Sequence, residues 1–244
     1  MQHNISTMAA LTQINRDALR KVSSATLTTV LFKRGLRNVF IQGVFLLNRQ
    51  APRMVGEAFT LRYIPAREDL DTLGAFEGRG HPQREAIEAC PPGHVLVMDA
   101  RRDASAATGG DILMARLHAR GVAGIVTDGG LRDSYTIESM PWPAYCAARS
   151  APLNLVRHHA VDSQVPIGCG GVAVYPGDIL VGDPEGVVVI PGAIANEVAE
   201  EGARQTEFED WVEARVKEGR SIFGLYPPSA ETRAEFEAWR KRRA

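Results

Sequence analysis

The sequence predicts one α/β domain with an appended C-terminal helical arm. Three observations point there. Short apolar runs of strand length alternate with helical stretches through the middle of the chain. A turn-into-strand device occurs twice: Pro92-Gly93-His94-Val95-Leu96-Val97-Met98-Asp99 is echoed by Pro176-Gly177-Asp178-Ile179-Leu180-Val181-Gly182-Asp183. No polar linker divides the chain before its last fifty or so residues, which turn wholly helical.

The elements follow in order. Thr12 to Gly35 reads as helical: Leu19 and Val22 offer one apolar patch. Ser24 or Thr26 caps a second helix with Leu27, Val30 and Leu31, which Gly35 closes. The core, about 36–192, opens with strand-like segments Val39 to Leu47 and, after Gly56, Ala58 to Tyr63. Pro65 to His81 is a charged loop. A helix, Gln83 to Cys90, stops at Pro91-Pro92-Gly93, and the strand His94 to Asp99 follows. After Gly109-Gly110-Asp111-Ile112-Leu113 come a helical pattern (Met114 to Arg120), a glycine stop (Gly121), an apolar run (Val122 to Thr127) and a turn (Asp128-Gly129-Gly130). Ala144 to Ala147, Gly171 to Tyr175 and Gly186 to Pro191 read as further strands. The arm, about 193–244, is helical from Ala193 to Gly219, turns at Gly224 to Pro228 and ends in an amphipathic helix from Ala230.

Composition removes several function classes. The chain has 244 residues, 45% of them hydrophobic, enough for a proper core. A net charge of −1 leaves no electrostatic footprint for nucleic acid. The basic tip Arg240 to Arg243 reads as the solvated end of a helix. No run approaches the ~18 apolar residues of a membrane span. Met1 to Thr12 shows no secretory pattern. Three widely spaced cysteines, Cys90, Cys146 and Cys169, match no metal-finger spacing and read as buried thiols of a cytoplasmic protein. Gly168-Cys169-Gly170-Gly171 lacks the strand–loop–helix setting of a dinucleotide site. His158-His159 is no metal pair, since neighbours on a strand point to opposite faces.

The candidate site lies between Gly109-Gly110-Asp111 and Leu131-Arg132-Asp133. A helix of about ten residues rises roughly 15 Å, and six extended residues return about 20 Å, so helix start and strand end share one edge. Each residue has an ordinary reading: Asp111 as a cap or first-turn acid, Asp133 as a turn cap, Arg132 as its ion-pair partner. Together, beside two glycines that admit a ligand to helix-start N–H groups, they suit an anion and a divalent cation such as Mg²⁺ or Mn²⁺.

Asp111, twenty intervening residues, then Arg132-Asp133 resembles the signature of the RraA-like proteins, which include metal-dependent 4-hydroxy-4-methyl-2-oxoglutarate aldolases. The resemblance takes in Gly121 to Gly129, Pro92 to Val97 and Pro176 to Leu180, and runs roughly from Ser24 to Ile190. It implies a layered α/β/β swivelling fold and a homotrimer or homohexamer with sites between subunits. Asp133 then holds the metal, directly or through water. Arg132 contacts the oxo-acid end and the developing enolate. Asp111 orients a water on the metal that shuttles protons, and the backbone amides of Gly110, Asp111, Ile112 and Leu113 bind the pyruvyl portion.

The chemistry agrees with that assignment. Cleaving a 4-hydroxy-2-oxo acid leaves a pyruvate enolate, which needs a Schiff-base lysine or a metal. The four lysines, Lys21, Lys33, Lys217 and Lys241, all lie in helical, charged or terminal segments. The metal route is therefore expected, with oxaloacetate decarboxylation through the same enolate. The long loop before the Gln83 helix and the arm depart from the minimal family core and could reach a neighbouring site. Glu207, Glu209 or Glu213 of the arm, or Glu68, Asp69 and Asp71 of the loop, could add an acid there, although a solvated role is the commoner one for each. The rival readings are an RraA-type protein-binding regulator of an RNA-degrading endonuclease, and another lyase or hydrolase of sugar acids on the same site.

Overall fold

The computed structural model describes residues 10–243. Most of the Met1 to Thr12 stretch scanned for a secretory pattern lies outside them, as does the last residue of the arm. In chain order the elements are α1 (Gln13–Leu19), α2 (Ser24–Lys33), β1 (Phe45–Leu46), β2 (Met54–Pro65), α3 (Pro82–Ala89), β3 (Val95–Asp99), β4 (Ala107–Gly109) and α4 (Asp111–Ala119). There follow β5 (Gly124–Thr127), β6 (Gly130–Leu131), α5 (Ser134–Glu138), β7 (Ala144–Cys146), β8 (Ala148–Arg149), β9 (His158–Ser163), β10 (Ile167–Cys169) and β11 (Val172–Val174). The chain closes with β12 (Ile179–Asp183), β13 (Gly186–Ile190), α6 (Ala195–Lys217) and α7 (Ala230–Lys241).

The main sheet runs β1-β7-β5-β3-β2-β12-β13, and β9 also pairs with β2. Its centre, β2-β3-β5-β7, is parallel. The long strand β2 pairs with β12 over Met54 to Glu57 and with β9 over Leu61 to Pro65, with a bulge between Arg62 and Tyr63 that bends the sheet. Strand alternation then sorts the core into layers. Leu61, Leu96, Ile125 and Ala144 face α3 and α4, and on the same side Val55, Val181 and Val188 face α1, α2 and α6. Ala58, Val97, Val126 and Val189 face the other way, onto the β10–β11 hairpin and Ile41. Helices, sheet and hairpin form the expected α/β/β stack.

Three boundaries differ from the sequence reading. Val39 to Leu47 is not one strand: Ile41 N–H donates to Val187, Gln42 N–H to Gly170, and Gly43 turns with φ of +76°. Only a bridge at Phe40 and the two-residue β1 remain. The second helix is capped by Ser23, whose Oγ accepts from Thr26 N, while Ser24 N–H donates to the buried Asp183 carboxylate at 2.7 Å. β2 begins before Gly56, which stays inside the strand because a Cβ there would lie 2.5 Å from Gly93 O. Both Pro-Gly turns hold a left-handed glycine, Gly93 at +78° and Gly177 at +86°. In the arm, Phe208, Trp211, Leu225 and Phe236 form a small separate core. No described helix is long and apolar enough to cross a membrane.

Candidate active site

The parallel strands β3 and β5 each end by feeding a short strand and a helix: β3 leads to β4 and α4, β5 to β6 and α5. β4, β6 and β8 pair in parallel as a small second sheet. Ligands in α/β proteins gather at such carboxyl ends. The floor is rigid. Thr108 Oγ bonds Thr127 Oγ and Gly130 O at 3.1 Å, and Thr108 O accepts from Gln83 Nε2 at 2.5 Å. The buried Asp128 carboxylate collects the N–H groups of Ala100, Arg102 and Gly170, and burial still pushes its pKa up. Asp128 thereby pins the turn on which Arg132 and Asp133 are carried.

Gly110, Asp111, Ile112, Leu113, Arg132 and Asp133 all line one cavity of about 220 Å³. Arg132 Nε donates to Asp133 Oδ2 at 3.0 Å. The side chains are 46% and 39% exposed, so the pair adds ~1 kcal/mol of stability at most. Asp133 is left-handed, φ +50°, a conformation costing an L-residue of order 1 kcal/mol and often found at functional sites. A Cβ on Gly110 would stand 2.6 Å from Asp133 Oδ2 and 3.0 Å from Arg132 Cγ. The second glycine is what lets the two loops meet.

Helix α4 starts at Asp111, the expected helix start, and Gly110 is its N-cap with no side-chain cap bond. Asp111 is a first-turn acid: its Oδ1 accepts from Ile112 N at 2.8 Å. Leu113 N–H turns to Gly110 O at 3.1 Å. Of the four amides expected to face substrate, those of Ile112 and Leu113 are therefore engaged within the chain. Those of Gly110 and Asp111 have no partner among the described residues.

The remaining wall comes from residues that sequence spacing did not point to: Leu73 and Phe76 of the charged loop, Gln83 and Arg84 opening α3, and Leu153 and Asn154. The loop acids split. Glu68 and Asp69 are exposed, whereas the Asp71 side chain is only 2% exposed and accepts from Arg67 N and His159 Nδ1, both at 2.8 Å. In the arm, Glu207 pairs with Arg240, Glu213 with Lys217, and Glu209 accepts from Thr26 Oγ at 2.7 Å. Burial pushes the Cys90 and Cys146 thiols up to about 12, which leaves them poor nucleophiles. No lysine lines this cavity; Lys33 borders a larger one, about 580 Å³, between α2, α6 and the arm.

A family model described as "RraA-like: Aldolase/RraA" matches residues 17–189. The chain belongs to the RraA-like family. A Halalkalibacterium halodurans protein named "Putative 4-hydroxy-4-methyl-2-oxoglutarate aldolase" is 35% identical over 128 residues, 52% of this chain and 58% of that one. This chain thus spans less than two thirds of that relative's length. The crystal structure of Streptomyces coelicolor RraAS2, described as an unusual member of the RNase ES inhibitor RraA protein family, superposes with a TM-score of 0.74 and 28% identity. The match covers 84% of this chain and 98% of that one. An uncharacterized protein from Pseudomonas syringae shares the fold, with a TM-score of 0.76 at 24% identity over 89% and 99% of the two chains.

The cavity's donor set fits a divalent cation. Asp111 and Asp133 both line it, within the one or two protein carboxylates that Mg²⁺ takes when water fills the rest of its shell. Among the described residues no group of three or more His, Cys, Asp or Glu gathers.

Proposed function

We propose that the chain is a divalent-metal-dependent carbon–carbon lyase that splits a 4-hydroxy-2-oxo acid and releases pyruvate. The observation that carries this reading is the contact between Gly110 and the Arg132–Asp133 pair, which gathers a guanidinium, two carboxylates and two free amides around one small cavity. The aldolase name of a 35% identical relative supports it. Mg²⁺ or Mn²⁺, held by Asp133 with Asp111 close by, would supply Lewis-acid stabilisation of the charge that develops on the 2-oxo oxygen. Arg132 binds the oxo-acid end, and the N–H groups of Gly110 and Asp111 orient it. Asp111 takes the 4-hydroxyl proton through an intervening water. The C3–C4 bond then breaks, its electron pair moves into the pyruvate enolate, and C3 regains a proton. Oxaloacetate would lose CO₂ through the same enolate.

Ile112 and Tyr135 stand exposed at the rim, and the reading includes a trimer or hexamer that covers them and completes the site between subunits. The test is pyruvate release from 4-hydroxy-4-methyl-2-oxoglutarate and oxaloacetate, with Mg²⁺ and after chelation. Metal-dependent release is expected. The likeness to RraAS2 favours a second reading, a protein-binding regulator of an RNA-degrading endonuclease. No release from any 4-hydroxy-2-oxo acid or from oxaloacetate moves that reading ahead, and leaves open a different sugar-acid lyase or hydrolase on the same residues.

A further inference from the structure

We propose that the groove between α2, α6 and α7 is a binding site for a planar aromatic anion, with Arg204, Arg233 and Lys33 taking the anionic group and Phe208, Phe236 and Tyr226 the ring. The inference stands apart from the lyase reading. Helices α6 and α7 lie past residue 189, where the family match ends, and no residue of the groove lines the cavity of Asp111 and Asp133.

The floor of the groove is one edge of the arm's own core. Phe208 and Phe236, both buried, meet edge to face at 5.2 Å and continue inward as the cluster with Trp211 and Leu225. Tyr226, Pro227 and Pro228 line the same space, which gives a flat ring aromatic and apolar surface to lie on. Glu209 holds these walls in register. Its carboxylate accepts from Thr26 Oγ of α2 at 2.7 Å, from Gln205 Nε2 of α6 at 2.9 Å and from the Tyr226 hydroxyl at 3.3 Å. The Arg240–Glu207 pair ties α7 to α6 at 2.8 Å. The enclosed volume, about 580 Å³, lies within the range of roughly 300–1,000 Å³ usual for small-molecule sites.

Charge is the second, independent observation. Lys33, Arg204 and Arg233 reach the groove from three different helices, and none has an acid partner among the described residues. Lys33 Nζ meets only the amide oxygen of Gln205, at 3.5 Å. Elsewhere in the arm Arg215, Arg220 and Arg240 each pair with an acid. Of the acids that line the groove, Glu201 is already engaged by Arg34 at 2.9 Å, which leaves Glu237 alone against the three cations. An anionic group placed there replaces the missing acids and is gripped by charge-assisted hydrogen bonds, two of them from guanidinium forks. A carboxylate and a phosphate both meet that chemistry. The aromatic floor beside the cations decides what the rest of the ligand is.

The test is calorimetry on the full chain at low ionic strength, where exposed charges are least screened. The probes are 2-naphthoate, an aromatic carboxylate, and adenosine monophosphate, an aromatic phosphate. Naphthol, adenosine and inorganic phosphate carry the ring or the charge alone. At least one aromatic anion is expected to bind ~10-fold or more tightly than its own controls, and which one does so identifies the anionic group. Arg204→Gln and Arg233→Gln should each weaken it by ~10-fold, the scale of one charged hydrogen-bonded contact. Thr29→Trp, which fills the groove from α2, should abolish binding. All three positions are exposed, so these variants should melt as the wild type does. Arg132→Ala should bind as the wild type does. Failure of both anions to bind, equal binding of ring or charge alone, or undiminished binding in the two arginine variants overturns the proposal. Loss of binding in Arg132→Ala also overturns it, by placing the ligand in the other cavity. So does self-association in sedimentation that Thr29→Trp abolishes, which would give the groove to a second copy of the chain.

Discussion

Gly110→Ala isolates the contact on which the proposed site depends. Gly110 has φ −131° and ψ −177°, extended backbone open to any residue, so an alanine there carries no conformational penalty. Its methyl group would sit 2.6 Å from Asp133 Oδ2, where ordinary contact begins at 3.4 Å. The carboxylate must therefore retreat by ~0.8 Å, and Arg132, whose Nε would lie 3.2 Å from the same methyl, is pushed with it. A displacement of ~1 Å in a catalytic constellation costs ~100-fold in rate. Because both side chains are partly exposed and free to swing outward, stability should fall by no more than ~1 kcal/mol, or ~2–4 °C in Tm. Pyruvate release followed by a coupled assay, with melting by circular dichroism, reads both quantities. Gly109→Ala is the control: its methyl group meets the far end of the unbranched Met114 side chain, Cε at 2.9 Å, and not Arg132 or Asp133, so kcat should stay within a few-fold. A Gly110→Ala enzyme with wild-type kcat and KM would refute the argument that this close approach builds the site.

Four further outcomes are expected. Arg132→Ala should abolish turnover with the fold kept; near-normal kcat would remove Arg132 from the reaction. Asp133→Ala should lose activity and weaken divalent-cation binding in a metal titration, and unchanged affinity would contradict the ligand role. Borohydride added with pyruvate should leave no mass adduct, because no lysine lines the cavity; an adduct would bring back the Schiff-base route. His158 is buried, with Nε2 3.3 Å from Ala106 O and Nδ1 3.3 Å from Arg101 Nη2, so the neutral ring is satisfied and its pKa is lowered from 6.5, chiefly by burial. The unfolded chain takes up that proton first, so this contribution to stability is complete above pH 6.5 and is lost as pH falls toward the folded value. Tm measured at pH 7.5 and pH 5.0 should drop less in His158→Gln than in the wild type; equal slopes would rule out this histidine as the cause.

The parts of the fold legible in sequence were those whose signal is local. β3, β12 and β13 are apolar runs bounded by Pro-Gly turns or a proline stop, and α6 and α7 are long enough for their period to speak. Where the decisive partner is distant in sequence, the reading slipped. Val39 to Leu47 looks like a strand, but its N–H groups go to Gly170 and Val187, more than a hundred residues away. Ser24 looks like a cap, yet its N–H is claimed by Asp183. The candidate site divides in the same way. Asp111, Arg132 and Asp133 are brought together by one short helix–strand unit and could be paired by counting residues. Arg84 and Asn154 reach the same cavity from the first turn of α3 and from a short turn after β8, with no spacing to connect them. Asp71 shows the converse: it reads as a solvated loop acid because the strand residue that hydrogen-bonds it, His159, is 88 positions on.

What the rim gives up in stability bears on the choice between enzyme and regulator. A turn built for stability alone would be served best by glycine at the left-handed position that Asp133 fills. Nor would it need an exposed ion pair of small net value pressed against a residue that must lack a side chain. These features sit on a floor braced in the opposite manner, by the buried Thr108–Thr127 bond and by three N–H groups on Asp128. A cavity of about 220 Å³ suits a small anion better than a partner helix or strand. The regulator reading would have to give another reason for the close approach of Gly110 to the Arg132–Asp133 pair at the carboxyl ends of β4 and β6.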